Sequence, residues 1–295
     1  MNIGTLGLLS ALVLMTLVYV GRWWILEHAR GAPSGVLRTL RLEDGLVGFV
    51  ANFFDTLGVG CFAPTTAYFK LRARIPDEEI PGTLNTGMAL PCILEALIFI
   101  STVNVDFTTL LSMIVAAVFG AWLGVGFVSR LSRRAIQLGM GGALLCAALL
   151  FVANILNWVP GGGNALGLHG TALIVAVLIN MVLGSLMMLG VGLYAPCLIL
   201  VSLLGMNPIA AFPIMMGSCA LLMPVGGIRF IRAGRYNFRV AVALALGGIP
   251  AVLIAAYIVK KLPLDWLRWL VVIVVLYAAV QMLRSAQRPD TAKSH

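Results

Sequence analysis

The sequence predicts an all-α integral membrane protein made of two inverted repeats, each with three transmembrane helices and a broken-helix hairpin, preceded by an extra N-terminal transmembrane helix. Three observations lead to this prediction. Apolar residues make up 61% of the 295 residues, charged residues only 11%, and the mean hydropathy is +1.02. Several apolar runs reach the roughly 20 residues that a helix needs to cross a bilayer. One glycine–proline phrase also occurs twice.

The apolar segments follow one another with short gaps and show none of the alternation typical of a β-barrel. The first lacks the basic start and the small-residue cleavage site of a signal peptide, so we expect a retained helix. The segment 168–204 would form a helix of roughly 55 Å at about 1.5 Å per residue, so it must bend or turn back. The segments are 3–21, 45–69, 83–103, 107–128, 136–156, 168–204, 208–228, 240–259 and 266–283.

A repeated phrase divides the chain into two parts. Leu57-Gly-Val-Gly-Cys-Phe-Ala-Pro64 returns as Leu189-Gly-Val-Gly-Leu-Tyr-Ala-Pro196, with six of the eight positions identical. Such self-similarity indicates two copies of about 130 residues. The predicted regions are an N-terminal helix and linker at 1–35, a first repeat at 36–160, a second repeat at 161–288 and a polar tail at 289–295.

The loop charges predict the orientation of the helices. Arginine clusters at 22–41, 130–134 and 229–239 are expected on the cytoplasmic side, because basic residues anchor cytoplasmic loops. All three clusters fall on one side only if each glycine–proline segment is a hairpin that returns to the side from which it starts. Each repeat then crosses the membrane an odd number of times, which makes the two repeats inverted. In this arrangement Lys260 and Lys261 fall on the outer side.

Several functional classes are excluded or disfavoured by the residues present. The net charge of +9 comes from arginine and lysine in short loops, which anchor membrane helices, and we expect no nucleic-acid partner. The five cysteines lie in apolar segments without metal-ligand spacing, so they are expected to be packing residues, and no metal or cofactor is expected. The motifs of intramembrane proteases and the Walker motif are missing, so neither an enzyme nor an ATP-driven pump is expected.

The two glycine–proline segments are the first candidates for a binding site. Broken helices at corresponding positions of two inverted halves indicate the substrate site of a secondary transporter, and their N-termini can hold an anion without a buried positive side chain. The alternative is close packing of helices through small residues. The candidate residues are Gly58, Gly60 and Pro64 in the first segment and Gly190, Gly192 and Pro196 in the second.

Polar residues in apolar surroundings supply the remaining candidates. Asn85 and Thr86 in the first repeat and Gly217 and Ser218 in the second follow the hairpins, where they could bind an oxyanion or bond to neighbouring helices. Two acids, Asp55 and Glu95, lie deep in apolar stretches, where an ionised carboxylate costs at least about 2.5 kcal/mol. Either could exchange a proton during transport; the alternative is a permanently protonated acid bonded to a neighbour.

These motifs resemble the TauE/SafE family of sulfite and organosulfonate exporters. The resemblance rests on Gly58-Val-Gly60…Pro64 with Gly82-Thr-Leu-Asn85-Thr86, repeated as Gly190…Pro196 with Ala210-Ala211…Gly217-Ser218, and extends over roughly residues 42–285. It implies movement of small sulfur-containing anions, such as sulfite or C2 organosulfonates, across a bacterial inner membrane. We expect a secondary transporter with alternating access, and a passive anion channel is the alternative. The expected partners are this anion and membrane lipid, and a homodimer is left open.

Overall fold

The computed structural model describes residues 3–31, 39–76, 78–127, 163–187 and 192–261 continuously, with scattered residues at 138–156 and 269–284. Gly190 and most of the predicted spans at 136–156 and 266–283 lie outside the described residues. The continuous ranges contain ten helices: α1 (Ile3–Ala29), α2 (Leu42–Thr56), α3 (Phe62–Arg72), α4 (Ile80–Gly87), α5 (Ala89–Thr102), α6 (Phe107–Phe127), α7 (Gly170–Met187), α8 (Tyr194–Leu203), α9 (Pro208–Ala233) and α10 (Phe238–Lys261).

The regular secondary structure of the described part of the chain is helical, apart from one isolated bridge between Ala165 and Met206. Several of these helices could cross a membrane. Within the described part, four helices are long and apolar enough to span a bilayer, namely α1, α7, α9 and α10 as far as Ile258. Helices α4 and α5 form a fifth candidate, bent by 40°. The bend was not predicted from the sequence; it arises because Pro91 has no N–H to donate to the Gly87 carbonyl.

Large apolar side chains cover much of the outer surface. On α1, Leu14, Leu17 and Trp24 are 63%, 67% and 66% exposed, whereas Leu12 and Tyr19 on the opposite side of the helix are buried against the bundle. A water-soluble domain would not leave such a surface uncovered, but lipid tails cover it. Helix α9 is buried along most of its length and forms the centre of the bundle. The chain is therefore a membrane protein.

Helices α2 and α3 form a hairpin that returns to its starting side. Arg74, just after α3, lies 2.8 Å from Asp44 in the first turn of α2, and the Tyr68 hydroxyl donates a hydrogen bond to Glu43. The tip between the two helices contains Gly58 and Gly60, whose φ angles are +94° and +85°. These angles suit glycine because it has no Cβ to clash with the backbone. The ion pair between Arg74 and Asp44 therefore holds the base of this hairpin together, and the tip of the hairpin lies inside the bundle.

Helices α7 and α8 form a second hairpin. Its base is closed by backbone contacts: Asn207, directly before α9, donates its N–H to the carbonyl of Ala165, five residues before α7, at 2.9 Å. Gly163 and Gly205 approach so closely at the same base that a Cβ at Gly163 would lie 1.3 Å from the Gly205 carbonyl oxygen. The second hairpin therefore also returns to the side from which it starts.

Two parallel helix pairs hold the hairpins in the bundle. Helix α2 packs along α10, from Gly45 against Ala243 to Asn52 against Gly248. Helix α7 packs along α6, where a Cβ at Gly184 would lie 2.1 Å from the Ala117 carbonyl oxygen. Small residues permit such close backbone approach, which is the main source of helix association in lipid.

One face of the bundle, here called the arginine-rich face, collects the end of α1, the base of the first hairpin and the loop between α9 and α10. Arg30 donates a hydrogen bond to the Arg232 carbonyl at 3.0 Å, and Tyr236 donates one to the Glu27 carboxylate at 2.5 Å. Burial raises the pKa of the Tyr236 phenol, and the bond to Glu27 acts in the same direction. This tyrosine therefore stays neutral and ties α1 to the loop.

Candidate functional site

The tips of the two hairpins meet in the interior of the bundle. A small cavity of about 10 Å³ lies between them, comparable to the space that one water molecule needs. Both hairpins and the central helix α9 contribute to its wall. The described residues that line it are Asp55, Gly60, Cys61 and Phe62 from the first hairpin, Met187, Gly192, Leu193 and Tyr194 from the second, and Cys219 and Met223 from α9.

Helices α3 and α8 both begin at this cavity, so their N-termini point towards it. Helix α3 starts at Phe62 and α8 starts at Tyr194, and both residues line the cavity wall. Each N-terminus carries unpaired N–H groups and the positive end of a helix dipole. The two ends differ, however, because Asp55 Oδ1 accepts the Cys61 N–H at 2.7 Å, whereas Leu193 gives α8 no side-chain cap. Only the second tip leaves its positive end without a carboxylate.

A hydrogen-bonded network around Glu95 connects the two hairpins behind the cavity. Glu95 lies on α5 and has no exposed surface. Its Oε1 is 2.8 Å from the hydroxyl of Thr56, the last residue of α2, and its Oε2 is 2.8 Å from the hydroxyl of Tyr194. The Thr56 hydroxyl also lies 2.8 Å from the Asn52 carbonyl oxygen, and the Tyr194 hydroxyl lies 3.2 Å from Cys92 Sγ. One carboxyl group thus contacts both hairpins.

The two candidate prolines lie at the starts of the helices that begin at the cavity. Pro64 is the third residue of α3 and Pro196 is the third residue of α8. At these positions the backbone N–H has no intrahelical acceptor, so a proline starts the helix and frees no carbonyl for a ligand. The prolines fix where the two helices begin.

The polar candidates on the following helices lie away from the cavity wall. The Asn85 side chain donates to the Pro81 carbonyl at 2.9 Å, and Ser218 Oγ accepts from Asn180 at 3.3 Å, so both bond to helices. A Cβ at Gly217 would lie 2.6 Å from Ile114, which shows that this glycine serves close packing. Asn85 Oδ1 and Thr86 Oγ1 are nevertheless buried without a hydrogen-bond partner. They remain available to a ligand that reaches α4.

Sequence reasoning missed several residues that line the cavity, although the repeat contained a signal for four of them. The two copies of the repeated phrase differ at only two positions, Cys61 against Leu193 and Phe62 against Tyr194. All four of these residues line the cavity. The differing positions therefore place different side chains on the two sides of the cavity. Cys61 is buried in the apolar core, as expected for a packing residue, and it also lines the cavity.

Sulfur atoms surround much of the cavity. Cys61, Cys219, Met187 and Met223 line it, and Cys219 Sγ lies 3.3 Å from Met187 Sδ. In the part of the chain that the structure describes, no group of three or more histidine, cysteine or acidic side chains is arranged to hold a metal ion. Thiols and thioethers are soft and polarisable, so they provide weak contacts rather than strong hydrogen bonds.

The comparisons with known proteins address the second half of the chain. Residues 172–295 match the family model described as sulfite exporter TauE/SafE. The family resemblance is confirmed over this range, and for the first repeat it stays a prediction. TauE/SafE proteins are membrane transporters, and the matched range includes Gly192, Tyr194 and Cys219 on the cavity wall. Neither the curated proteins nor the solved structures contain a match to the chain.

Proposed function

We propose that the chain is a secondary transporter that exports or imports small sulfur-containing anions, such as sulfite or C2 organosulfonates, across a bacterial inner membrane. The observation that carries this proposal is the cavity at which two helix N-termini meet inside the bundle. The substrate class comes from the TauE/SafE match over residues 172–295. The cavity is the substrate site, and it opens alternately to the two sides of the membrane.

Backbone dipoles bind the anion in this proposal. The described lining contains no arginine or lysine, so the positive field at the cavity comes from the starts of α3 and α8. Asp55 already occupies the start of α3, which makes the backbone N–H groups at the start of α8 the principal donors to the substrate. Such a site binds an anion without the desolvation cost of a permanently charged side chain in lipid.

Alternating access accounts for the size of the cavity better than a passive channel does. A space of about 10 Å³ holds no more than a water molecule, so an oxyanion with several heavy atoms requires the tips to separate. We assign the movement to two inverted halves, 36–160 and 161–288. This assignment is supported by the reciprocal packing of the helices, in which each hairpin's first helix, α2 or α7, runs parallel to a helix of the other half, α10 or α6.

Proton coupling is part of the proposal. Asp55 and Glu95 are buried acids beside the cavity, and an ionised carboxylate there is costly, so each can exchange a proton as the site opens. The Asp55 carboxyl group lies at the tip of the first hairpin, and the Glu95 carboxyl group lies next to Tyr194 of the second. Movement of the tips would therefore change the surroundings of both acids.

Flux in proteoliposomes tests the proposed function. We expect saturable counterflow of sulfite or a C2 organosulfonate, and accumulation when a pH gradient is applied. A conductance that does not saturate would identify a channel, and counterflow of carboxylates alone would contradict the substrate class.

The Gly192→Leu variant tests the position of the site. A Cβ at Gly192 meets no atom within 4 Å, so the backbone there accepts a side chain, and a leucine, which is larger than the cavity, should obstruct it and abolish flux in both directions. Gly7→Leu on α1 is the matched control, because its Cβ also meets no atom within 4 Å. If Asn85→Ala or Ser218→Ala abolished flux while Gly192→Leu did not, the site would lie beside α4 and α9 instead.

A further inference from the structure

The contacts around Glu95 require more hydrogen atoms than its neighbours can supply. Four pairs of polar atoms lie at hydrogen-bond distance: Thr56 with the Asn52 carbonyl, Thr56 with Glu95, Tyr194 with Glu95, and Tyr194 with Cys92. Each pair needs one hydrogen between its two atoms, because two electronegative atoms at such distances otherwise repel each other. The Thr56 hydroxyl, the Tyr194 hydroxyl and the Cys92 thiol provide one hydrogen each. One hydrogen is missing.

A proton on Glu95 supplies the missing hydrogen. With the proton on Oε1, Glu95 donates to Thr56, and Thr56 donates to the Asn52 carbonyl. Oε2 accepts from Tyr194, and Tyr194 accepts from the Cys92 thiol. Every contact then has one hydrogen. Cys92 Sγ also lies 3.8 Å from the Met216 carbonyl oxygen, and this longer contact would need the same thiol hydrogen. If Glu95 were ionised, the number of missing hydrogens would therefore be larger.

We propose that Glu95 is the proton-binding site of the transporter, and that the conformation described here contains its protonated form, in which one carboxyl group joins the two hairpins. The coupling role rests on the proposed transport function; the protonation state does not. Loss of the proton leaves a carboxylate that needs both neighbouring hydroxyl groups as donors. Thr56 then has to turn its hydrogen away from the Asn52 carbonyl, and the contact between the first hairpin and α5 rearranges.

The surroundings of Glu95 favour this assignment over one to Asp55. Asp55 Oδ1 already accepts the Cys61 N–H at 2.7 Å, which suits an ionised group at a helix start. Among the described residues, no ion pair involves Glu95. The titratable groups on the other helices near α5 have other positions. The Tyr19 hydroxyl of α1 donates to the Thr86 carbonyl, and Arg239 and Tyr257 of α10 lie near the two ends of that helix. The titratable groups that face Glu95 are Asp55 on α2, Cys61 before α3, Cys92 on α5 and Tyr194 on α8, and Cys219 on α9 lies beside Cys92 and Tyr194.

Infrared spectroscopy combined with flux tests this inference. In Glu95→Gln, the amide NH₂ can donate to Thr56 and the amide oxygen can accept from Tyr194, so the variant reproduces the protonated acid. We expect it to fold, to lose the carbonyl band of a protonated carboxylic acid that wild type shows at neutral pH, and to lose accumulation driven by a pH gradient.

Glu27→Gln is the matched control, because Glu27 is also buried and also accepts from a tyrosine, but lies at the arginine-rich face. It should keep both the acid band and the gradient-driven accumulation. If the acid band of wild type is unchanged in Glu95→Gln, or if this variant still accumulates substrate, the inference is wrong. If wild-type proteoliposomes show no flux of any sulfur anion, the proposed function fails, and the infrared band still decides whether Glu95 carries the proton.

Discussion

At the scale of single residues, the buried acids of the described residues fall into two groups. Glu27 and Asp44 are paired with arginines at the arginine-rich face, and Asp55 and Glu95 lie beside the cavity. Asp44 is only 3% exposed, and its carboxylate is paired with the Arg74 guanidinium at the base of the first hairpin. Asp55 and Glu95 were recognisable from the sequence because acids are rare in apolar segments. Tyr194 was not recognisable, because an aromatic residue in an apolar run is ordinarily a packing residue. Its role depends on a hydroxyl that reaches Glu95 from a distant part of the chain.

Removal of Arg74 should open the base of the first hairpin. Arg74→Ala leaves the buried Asp44 carboxylate without its partner, and we expect the free energy of unfolding to fall by about 2 kcal/mol, less than for a fully buried pair because Arg74 is partly exposed. Unfolding in detergent measures this loss. Arg72→Ala removes an exposed neighbouring arginine and should change little. Equal losses in the two variants would show that the Arg74–Asp44 pair does not hold the hairpin.

At the scale of helices, the length of segment 168–204 and the repeated phrase predicted that helices would break, and the breaks lie where the phrase occurs. The bend between α4 and α5 was missed, because a proline in an apolar run is common in membrane helices and does not by itself specify a kink. Which helices pair could not be predicted either. The close contact of α6 with α7 depends on Gly120 and Gly184, which meet Met181 and Ala117 only in the folded bundle.

The contact between α6 and α7 should not accept a methyl group. A Cβ at Gly184 would lie 2.1 Å from the Ala117 carbonyl oxygen, so Gly184→Ala must push the helices apart, and we expect a loss of about 2 kcal/mol or more in unfolding free energy. Thermal unfolding in detergent measures it. Gly7→Ala on α1 meets no atom within 4 Å and should cause no loss. A Gly184→Ala protein as stable as wild type would mean that the two helices are farther apart than described.

At the scale of the whole molecule, the membrane environment follows from composition, and the repeat predicted that the two glycine–proline segments meet at one site. Gly60 and Gly192 line one cavity, as this prediction requires, although the two phrases are far apart in the chain. Asn85 and Ser218 were placed in the predicted site because polar residues in lipid attract a functional interpretation. Their bonds to Pro81 and Asn180 show that much of this polarity is used within and between helices.

Opening of the cavity should be visible through the native cysteines. Cys61 and Cys219 line the cavity and are buried, so a thiol reagent such as N-ethylmaleimide should react slowly with them in resting proteoliposomes and faster during substrate exchange. Mass spectrometry of the labelled peptides measures both rates. Cys197, which is buried in α8 away from the cavity wall, is the internal control and should stay unlabelled. Equal rates with and without substrate would argue against a cavity that opens during transport.

The Asp55 carboxylate at the first tip makes the two halves of the chain chemically different. In the proposed arrangement of inverted halves, the backbone alone would look the same from either side of the membrane. Asp55, Thr56 and Glu95 break this symmetry, because they all belong to the first half and Met187 stands where the repeat would place a second Asp55. In the transport cycle that we propose, a proton and an anion therefore meet different partners according to the side from which they come. We expect these three side chains to set the direction of that cycle.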